Sequence, residues 1–297
     1  MTWSRRSLLA AGAMVAAAPS LGWAAADTYP FWEVRKGDAV VYLFGDGGSV
    51  TDPWSSPRIE AAFDRSAVLW KETPDARPDD GAKFVAAGID RARPLSTWLT
   101  PEQKDRVALA ATSAGAAYGA LEPLKPWLAA IVLSNLYERR KATGSRTLSP
   151  GEAAGSDPLA VLTARAKAAG TPVHTEFADT DAVIGWMSGM PPTAQVEYLL
   201  FKIEDNEADP ALATAQTRAW AQGDLHPEEQ AAIRIARAYP HLAEPLFLAR
   251  NRAWPARIHN MLADGGKSFV LVGGDHLLGP NSVLVQLAQA GLPAKRI

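Results

Sequence analysis

The chain has 297 residues, 47 % of them hydrophobic and 21 % charged, with a formal net charge of −2. That length suits one large domain or two small ones, the composition suits a globular protein with a large core, and the charge leaves no nucleic-acid footprint. No cysteine is present, which excludes disulfides, thiolate zinc sites and thiol catalysis, so any metal must be held by histidine, aspartate or glutamate.

The N-terminus reads as a targeting segment over residues 1–26. Arg5-Arg6 precede an uncharged run from Ala10 to Ala18, and Ala24-Ala25-Ala26 offers a small-residue cleavage site. A charged start, a short apolar middle and an A-x-A end describe a signal peptide, and the paired arginines describe the twin-arginine kind. The apolar run is short for a bilayer, and no later segment reaches about 18 uninterrupted apolar residues. The expected mature chain starts near Asp27, lacks a membrane span and works in the periplasm or outside the cell.

Phe31 to Val34 and Val40 to Phe44 flank Lys36-Gly37-Asp38, a hairpin signal. Gly45 to Pro53 is rich in Gly, Ser and Asp and reads as a loop. A short helix is expected over Arg58 to Phe63 and a buried strand over Ala67 to Trp70, ending at Lys71-Glu72. Residues 73–94 are Pro- and Asp-rich and read as irregular. Thr100-Pro101-Glu102-Gln103 opens a helix with a capping box and proline at the first position. Another follows Lys125-Pro126-Trp127, with Leu128, Ile131, Val132 and Leu136 at helical spacing. Residues 144–156 form a polar loop, Pro158 to Ala169 a helix, and Pro172 to Phe177 the next strand. Residues 192–240 are mostly helical, broken at Gly223-Asp224 and restarted at Pro227. A helix from Glu244 to Leu262 leads to the strand Phe269 to Val272 and then to Gly273-Gly274-Asp275-His276; a last helix starts near Asn281. Strands separated by helices along the whole chain give the α/β class in a single domain, 27–297.

Two strand-then-glycine units stand out, Val40–Gly48 and Phe269–Gly274, and only the second carries a histidine. Glycine after a strand lets backbone approach a ligand closely, and sites in open α/β sheets lie beyond the carboxyl ends of strands. His276 is therefore placed as a metal ligand, as a general base, or as a histidine that hydrogen-bonds its own turn. Glu72 ends a strand and is either a ligand or base at the same sheet edge or a solvated strand end. Glu176 ends a strand in the same way and reads as an exposed carboxylate. Asn251 falls on the apolar helical stripe of Phe247, Trp254, Ile258 and Met261, where a buried amide needs partners, and Pro255 should bend that turn. No nucleophile elbow, phosphate loop or His-Glu-x-x-His stretch occurs. Trp98, Trp127 and Trp254 fit core packing better than a ligand-binding wall.

Together these residues resemble the TraB/GumN family, which includes the Tiki proteins. The match runs from Trp32–Gly45 through Glu72, Lys125-Pro126-Trp127, Gly155-x-Asp157 and Glu176. It closes with Arg250-Asn251 and with Val272-Gly273-Gly274-Asp275-His276-Leu277 plus Gly279, its most specific part. The resemblance implies one α/β domain, a central mixed sheet from two related halves with surrounding helices, akin to the erythromycin esterase and ChaN-like folds. It implies a metal-dependent hydrolase, a peptidase in the Tiki members, with manganese, zinc or cobalt as the divalent ion. Carried over, His276 and Glu72 hold the metal and carry catalysis with Arg250 and Asn251, and Gly45, Asp46, Gly273, Gly274 and Glu176 border the bound peptide or small molecule. The chain departs from the pattern at Gly48, where the family has its first histidine. A non-catalytic member that binds a peptide or polymer in the same cleft is the alternative.

Overall fold

The computed structural model describes residues 28–47, 54–144 and 157–297, with the side chains of 142–144 left out. The expected signal segment, Gly48 and the residues 145–156 read from sequence as a loop lie outside the described residues. β1 (Phe31–Lys36) and β2 (Ala39–Asp46) form the expected hairpin, its turn made possible by Gly37 at φ 60°. α1 (Pro57–Asp64) leads to β3 (Val68–Lys71), and β4 (Val173–Thr175), β5 (Lys267–Gly273) and a short β6 (Lys295–Arg296) complete the sheet. The strand order is β4-β3-β5-β2-β1-β6. β2, β3, β4 and β5 run parallel, while β1 and β6 close one side antiparallel. The edge strand β6 escaped sequence reasoning because two residues leave no alternating pattern to read.

Both faces of β2 are covered, as its unbroken apolar run requires. Phe31, Tyr42, Phe44, Phe269 and Leu271 point to one face and pack with Ile59 and Phe63 of α1 and Leu162 of α5 (Pro158–Ala169). Trp32, Leu43, Val270 and Val272 point to the other and meet Trp254 and Ile258 of the long helix before β5. This strict alternation fixes the register, since a slip of one residue would exchange the two faces.

A helical layer has a core of its own. It joins α2 (Asp80–Gly88), α3 (Pro101–Ser113), α4 (Pro126–Gly144), α6 (Thr180–Gly189) and α7 (Pro192–Glu207) around Trp127, Leu128, Met187, Tyr198 and Leu199. α2 corrects the reading of 73–94 as irregular: Phe84 is buried there, and Gly88 lets Leu128 approach too closely for any Cβ. The capping box of α3 is formed as expected, with Thr100 Oγ1 accepting from Gln103 N at 3.3 Å and Gln103 Oε1 accepting from Thr100 N at 2.9 Å.

α8 (Pro210–Ala221) and α9 (His226–Ala238) form a hairpin broken at Gly223, as expected. After a one-turn α10 (Pro240–Ala243), the chain makes a π-helical turn at Glu244–Leu248 and continues as α11 (Ala249–Asp264). The π-turn contains Pro245, and Pro255 is carried inside α11. α12 (Gly274–Leu277) and α13 (Val283–Gln289) follow β5. The whole is a single compact α/β arrangement. Among the described residues no helix is long and apolar enough to cross a membrane.

Candidate functional site

The parallel register brings four strand ends to one sheet edge. Asp46 pairs in register with Gly273, Lys71 with Leu271 and Thr175 with Lys71. Glu72, Glu176, Asp46 and the Gly273–His276 turn therefore converge, although Glu72 and His276 are more than 200 residues apart.

The centre of this edge is a buried ion cluster. Arg250, on the first turn of α11, donates from Nη2 to Glu72 Oε2 at 2.6 Å and to Glu176 Oε2 at 2.6 Å, and from Nε to Glu176 Oε2 at 3.1 Å. Its Nη1 donates to the Leu246 carbonyl at 3.2 Å, an oxygen in the π-turn. Phe177 and Trp186 lie 5.6 and 5.8 Å from the guanidinium carbon and shut out water. The Glu176 side chain is 5 % exposed, so the expectation of a solvated carboxylate is corrected: a guanidinium from a helix 74 residues away takes it out of solvent. Burial works against the Arg250 charge, but Glu72 and Glu176 outweigh it and raise its pKa. Burial likewise pushes Glu72 up, but Arg250, His276 and the Gly273 amide outweigh it and bring the carboxyl down to about 2.

His276 is 1 % exposed and sits in α12, with Phe247 packed at a ring distance of 5.6 Å. Its Nδ1 lies 2.6 Å from Asn251 Oδ1. Asn251 Nδ2 donates to the Asn281 carbonyl at 2.9 Å, which fixes the amide so that Oδ1 can only accept. Nδ1 therefore carries the proton and Nε2 has a bare lone pair. Burial, then the Arg250 charge, lower the His276 pKa to about 4, so the ring is neutral at pH 7. Among the described residues Nε2 has no hydrogen-bond partner, and it lies 3.7 Å from Glu72 Oε2. Glu72 Oε2 already has a cationic donor in Arg250 Nη2, so the unanswered atom is His276 Nε2, a buried acceptor that calls for a donor or a cation.

The glycines behave differently from a ligand cradle. Gly273 donates its amide to Glu72 Oε1. Gly45 and Gly274 give room to the chain's own Trp220: a Cβ on Gly45 would stand 2.6 Å from the indole and one on Gly274 3.0 Å, and Gly47 is tighter still. Trp220, at the end of α8, is 2 % exposed and was not singled out from the sequence. Its signal was that it is the sole aromatic in a helix otherwise made of alanine, polar residues and one leucine.

Two cavities open beneath α9. One, about 230 Å³, is bordered by Asp46, Gly47, Gln216, Glu228, Phe247 and Gly273–Asp275. The other, about 290 Å³, is bordered by Ile233, Phe247, Leu248, Asn251, Asp275 and Asn281. Asp275 and Phe247 line both. The Asp275 carboxyl is packed about by protein while the residue reaches the cavity surface. Burial, then the charges of Glu72 and Glu228, push it up to about 7. The sequence offers Asp275, like Asp46, as an oxygen donor in place of the histidine missing at Gly48; Glu228 carries no such signal, because acidity alone does not mark a helix residue as buried. Of the remaining histidines, His259 is exposed and His226 starts α9.

For a divalent ion the residues present offer His276 Nε2 and Glu72 Oε2, a nitrogen and an oxygen close enough to share one ion. Asn251 supplies the outer-shell acceptor that metal-bound histidines ordinarily have. Among the described residues no group of three or more His, Asp or Glu is arranged to hold a metal. Glu72 Oε2 already accepts from Arg250 Nη2 at 2.6 Å, and neither His276 nor Glu72 borders the two cavities, so an ion there would find at most two protein donors.

The model of the TraB/PrgY/gumN family matches residues 30–296, nearly the whole chain. No curated protein and no solved structure matches it.

Proposed function

Since the chain belongs to the TraB/PrgY/gumN family, we propose that it is an exported metal-assisted hydrolase whose reaction takes place at the His276–Glu72 gap. The observation that carries this reading is the bare His276 Nε2 lone pair held against a buried carboxylate at 3.7 Å. A divalent ion there, held by His276 and Glu72, would act as a Lewis acid on a carbonyl or phosphoryl oxygen. Arg250 fixes the Glu72 carboxylate through Oε2 and the Gly273 amide fixes it through Oε1. Asn251 holds the imidazole in the tautomer that leaves Nε2 free. Asp275, in the wall of both cavities, carries a carboxyl able to hold or release a proton near neutral pH. The cavities would take the substrate, a peptide or another small molecule, from the α9 side.

A second reading has an observation in its favour. Trp220 fills the floor beside Gly45 and Gly274, and Arg250 already occupies the Glu72 oxygen that faces His276. That arrangement suits a non-catalytic member that binds a peptide or polymer under α9.

Elemental analysis of chelator-free protein separates the two. The hydrolase reading expects bound manganese, zinc or cobalt that His276→Ala and Glu72→Ala both remove, with Asn251→Ala weakening affinity by about 10–100-fold. Protein that carries no metal, and shows no thermal shift with any of the three ions, would overturn it in favour of the binder.

A further inference from the structure

The α8–α9 hairpin covers the site yet belongs only loosely to the core. Among its helices Trp220 is the one buried residue of α8, and α9 has none. Leu212 of α8 is 66 % exposed. The hairpin leaves the body at Ala208 and rejoins it at Tyr239, both with non-helical backbone. Its faces are joined to each other and to α7 by side-chain pairs, Gln216 with Glu228 and Arg234 with Glu204. Such pairs contribute little when they reach solvent. Both cavities lie beneath it.

Its tip is held down instead. Trp220 sits on the glycine floor formed by the ends of β2 and β5, where any Cβ on Gly45 would strike the indole. Beside it Thr28 Oγ1 donates to the Ala221 carbonyl at 2.9 Å and Arg296 Nη2 donates to the Gly223 carbonyl at 2.8 Å. Among the described residues the buried indole Nε1 has no partner, so the contact they make with it is one of shape and apolar area. A segment with one deep anchor, solvent-reaching links elsewhere and cavities below opens at lower cost than the sheet core.

We propose that the α8–α9 hairpin is a lid over the His276–Glu72 site and that Trp220 is the latch that seats it on the Gly45–Gly274 floor. The proposal rests on that site being where ligand binds, but not on a metal being there. Opening would lift the tip from the strand ends, pivot near Ala208 and Tyr239, and widen both cavities toward the His276–Glu72 pair. The glycines at positions 45 and 274 are then required by the latch, not by a ligand.

Native-state hydrogen exchange on the full mature chain tests this, read as protection factors against α4. In the wild type the amides of 210–238 should exchange at least about tenfold faster than those of α4 and with a weaker dependence on denaturant, the signature of sub-global opening. Trp220→Ala and Gly45→Ala, which unseat the indole by deletion and by collision, should each speed lid exchange by about tenfold or more. Because the chain has no cysteine, Ala243→Cys gives an independent probe. Ala243 is 3 % exposed and lines the larger cavity, and its alkylation should accelerate in the Trp220→Ala background. Lid amides that exchange at the α4 rate with the α4 denaturant slope would overturn the proposal. So would variants that alter neither lid exchange nor labelling. Metal analysis does not enter these readouts, so a metal-free protein with a sub-global lid would sink the hydrolase and leave the lid standing.

Discussion

The ends of β2 and β5 are neighbours in register, Asp46 beside Gly273, and each is followed by glycine, yet they are filled in opposite ways. At the β5 end the backbone turns into α12 and presents His276, and the space is polar: the Gly273 amide, Glu72, Asn251 and the bridging Arg250. At the β2 end the space is apolar and holds the Trp220 indole. The comparison teaches that a strand-glycine unit specifies close approach and nothing about what approaches. In one case it is a carboxylate that the backbone binds, in the other a side chain from a helix some 170 residues later.

The change expected to do most damage breaks the β5 end alone. Arg250→Ala leaves the buried Glu72 without its cation and Glu176 with Arg257 alone, at 3.3 Å, and unpairing a buried charge costs about 3–5 kcal/mol. Urea unfolding should show that loss, while Arg250→Lys, which keeps the charge but cannot span both carboxylates, should fall between. An Arg250→Ala chain as stable as the wild type would mean the cluster is already solvated. Next in size is a matched pair of glycine substitutions. Gly45→Ala drives a Cβ into indole carbons and should cost about 1–3 kcal/mol. Gly273→Ala meets the Asp275 carboxylate oxygen at 2.5 Å, the far end of a side chain that can rotate away, so its stability cost should be smaller and its effect on metal retention larger. Equal costs with equal metal content would erase the distinction between the two ends.

Much of this edge is legible in the sequence. Apolar runs ending in Glu72, Glu176 and Gly273 are local signals, and once the strands are parallel their ends must coincide. The α/β class, the capped start of α3 and the break at Gly223 follow from residues within a few positions of one another. What was not legible is contact between distant segments. Glu176 reads as exposed because nothing near it announces Arg250. Trp220 reads as one tryptophan among ten because its partners are glycines, which leave no hydrophobic mark. Gly88 inside α2 reads as a breaker because Leu128, the reason for it, lies 40 residues on. The roles of His276 and Glu72 came from resemblance, and the sequence alone left them open.

The remaining predicted effects concern protons, and their signs separate the two acids and bases at the β5 end. In chelator-treated protein His276 has its pKa lowered from 6.5 to about 4, so the unfolded chain binds the proton first. Its contribution is complete above pH 6.5 and is lost as pH falls toward 4, a loss of about 3 kcal/mol. Glu72, lowered to about 2, extends the acid loss from pH 4.5 downward. Asp275 acts the other way. Its carboxyl is raised from 3.8 to about 7, so the folded chain keeps the proton longer and stability falls as pH rises between those values. Between pH 6.5 and 4 the two slopes oppose, and the wild type should look nearly flat. Asp275→Asn removes the opposing slope. At pH 8 the variant should be more stable than wild type by about the size of the His276 loss, about 3 kcal/mol, equal to it at pH 4, and steeper in its acid loss. His276→Asn should tilt the curve in the other direction. Parallel stability–pH curves for the two variants would show that neither group is held in the environment the fold gives it, and the polar character of the β5 end would then rest on Arg250 alone.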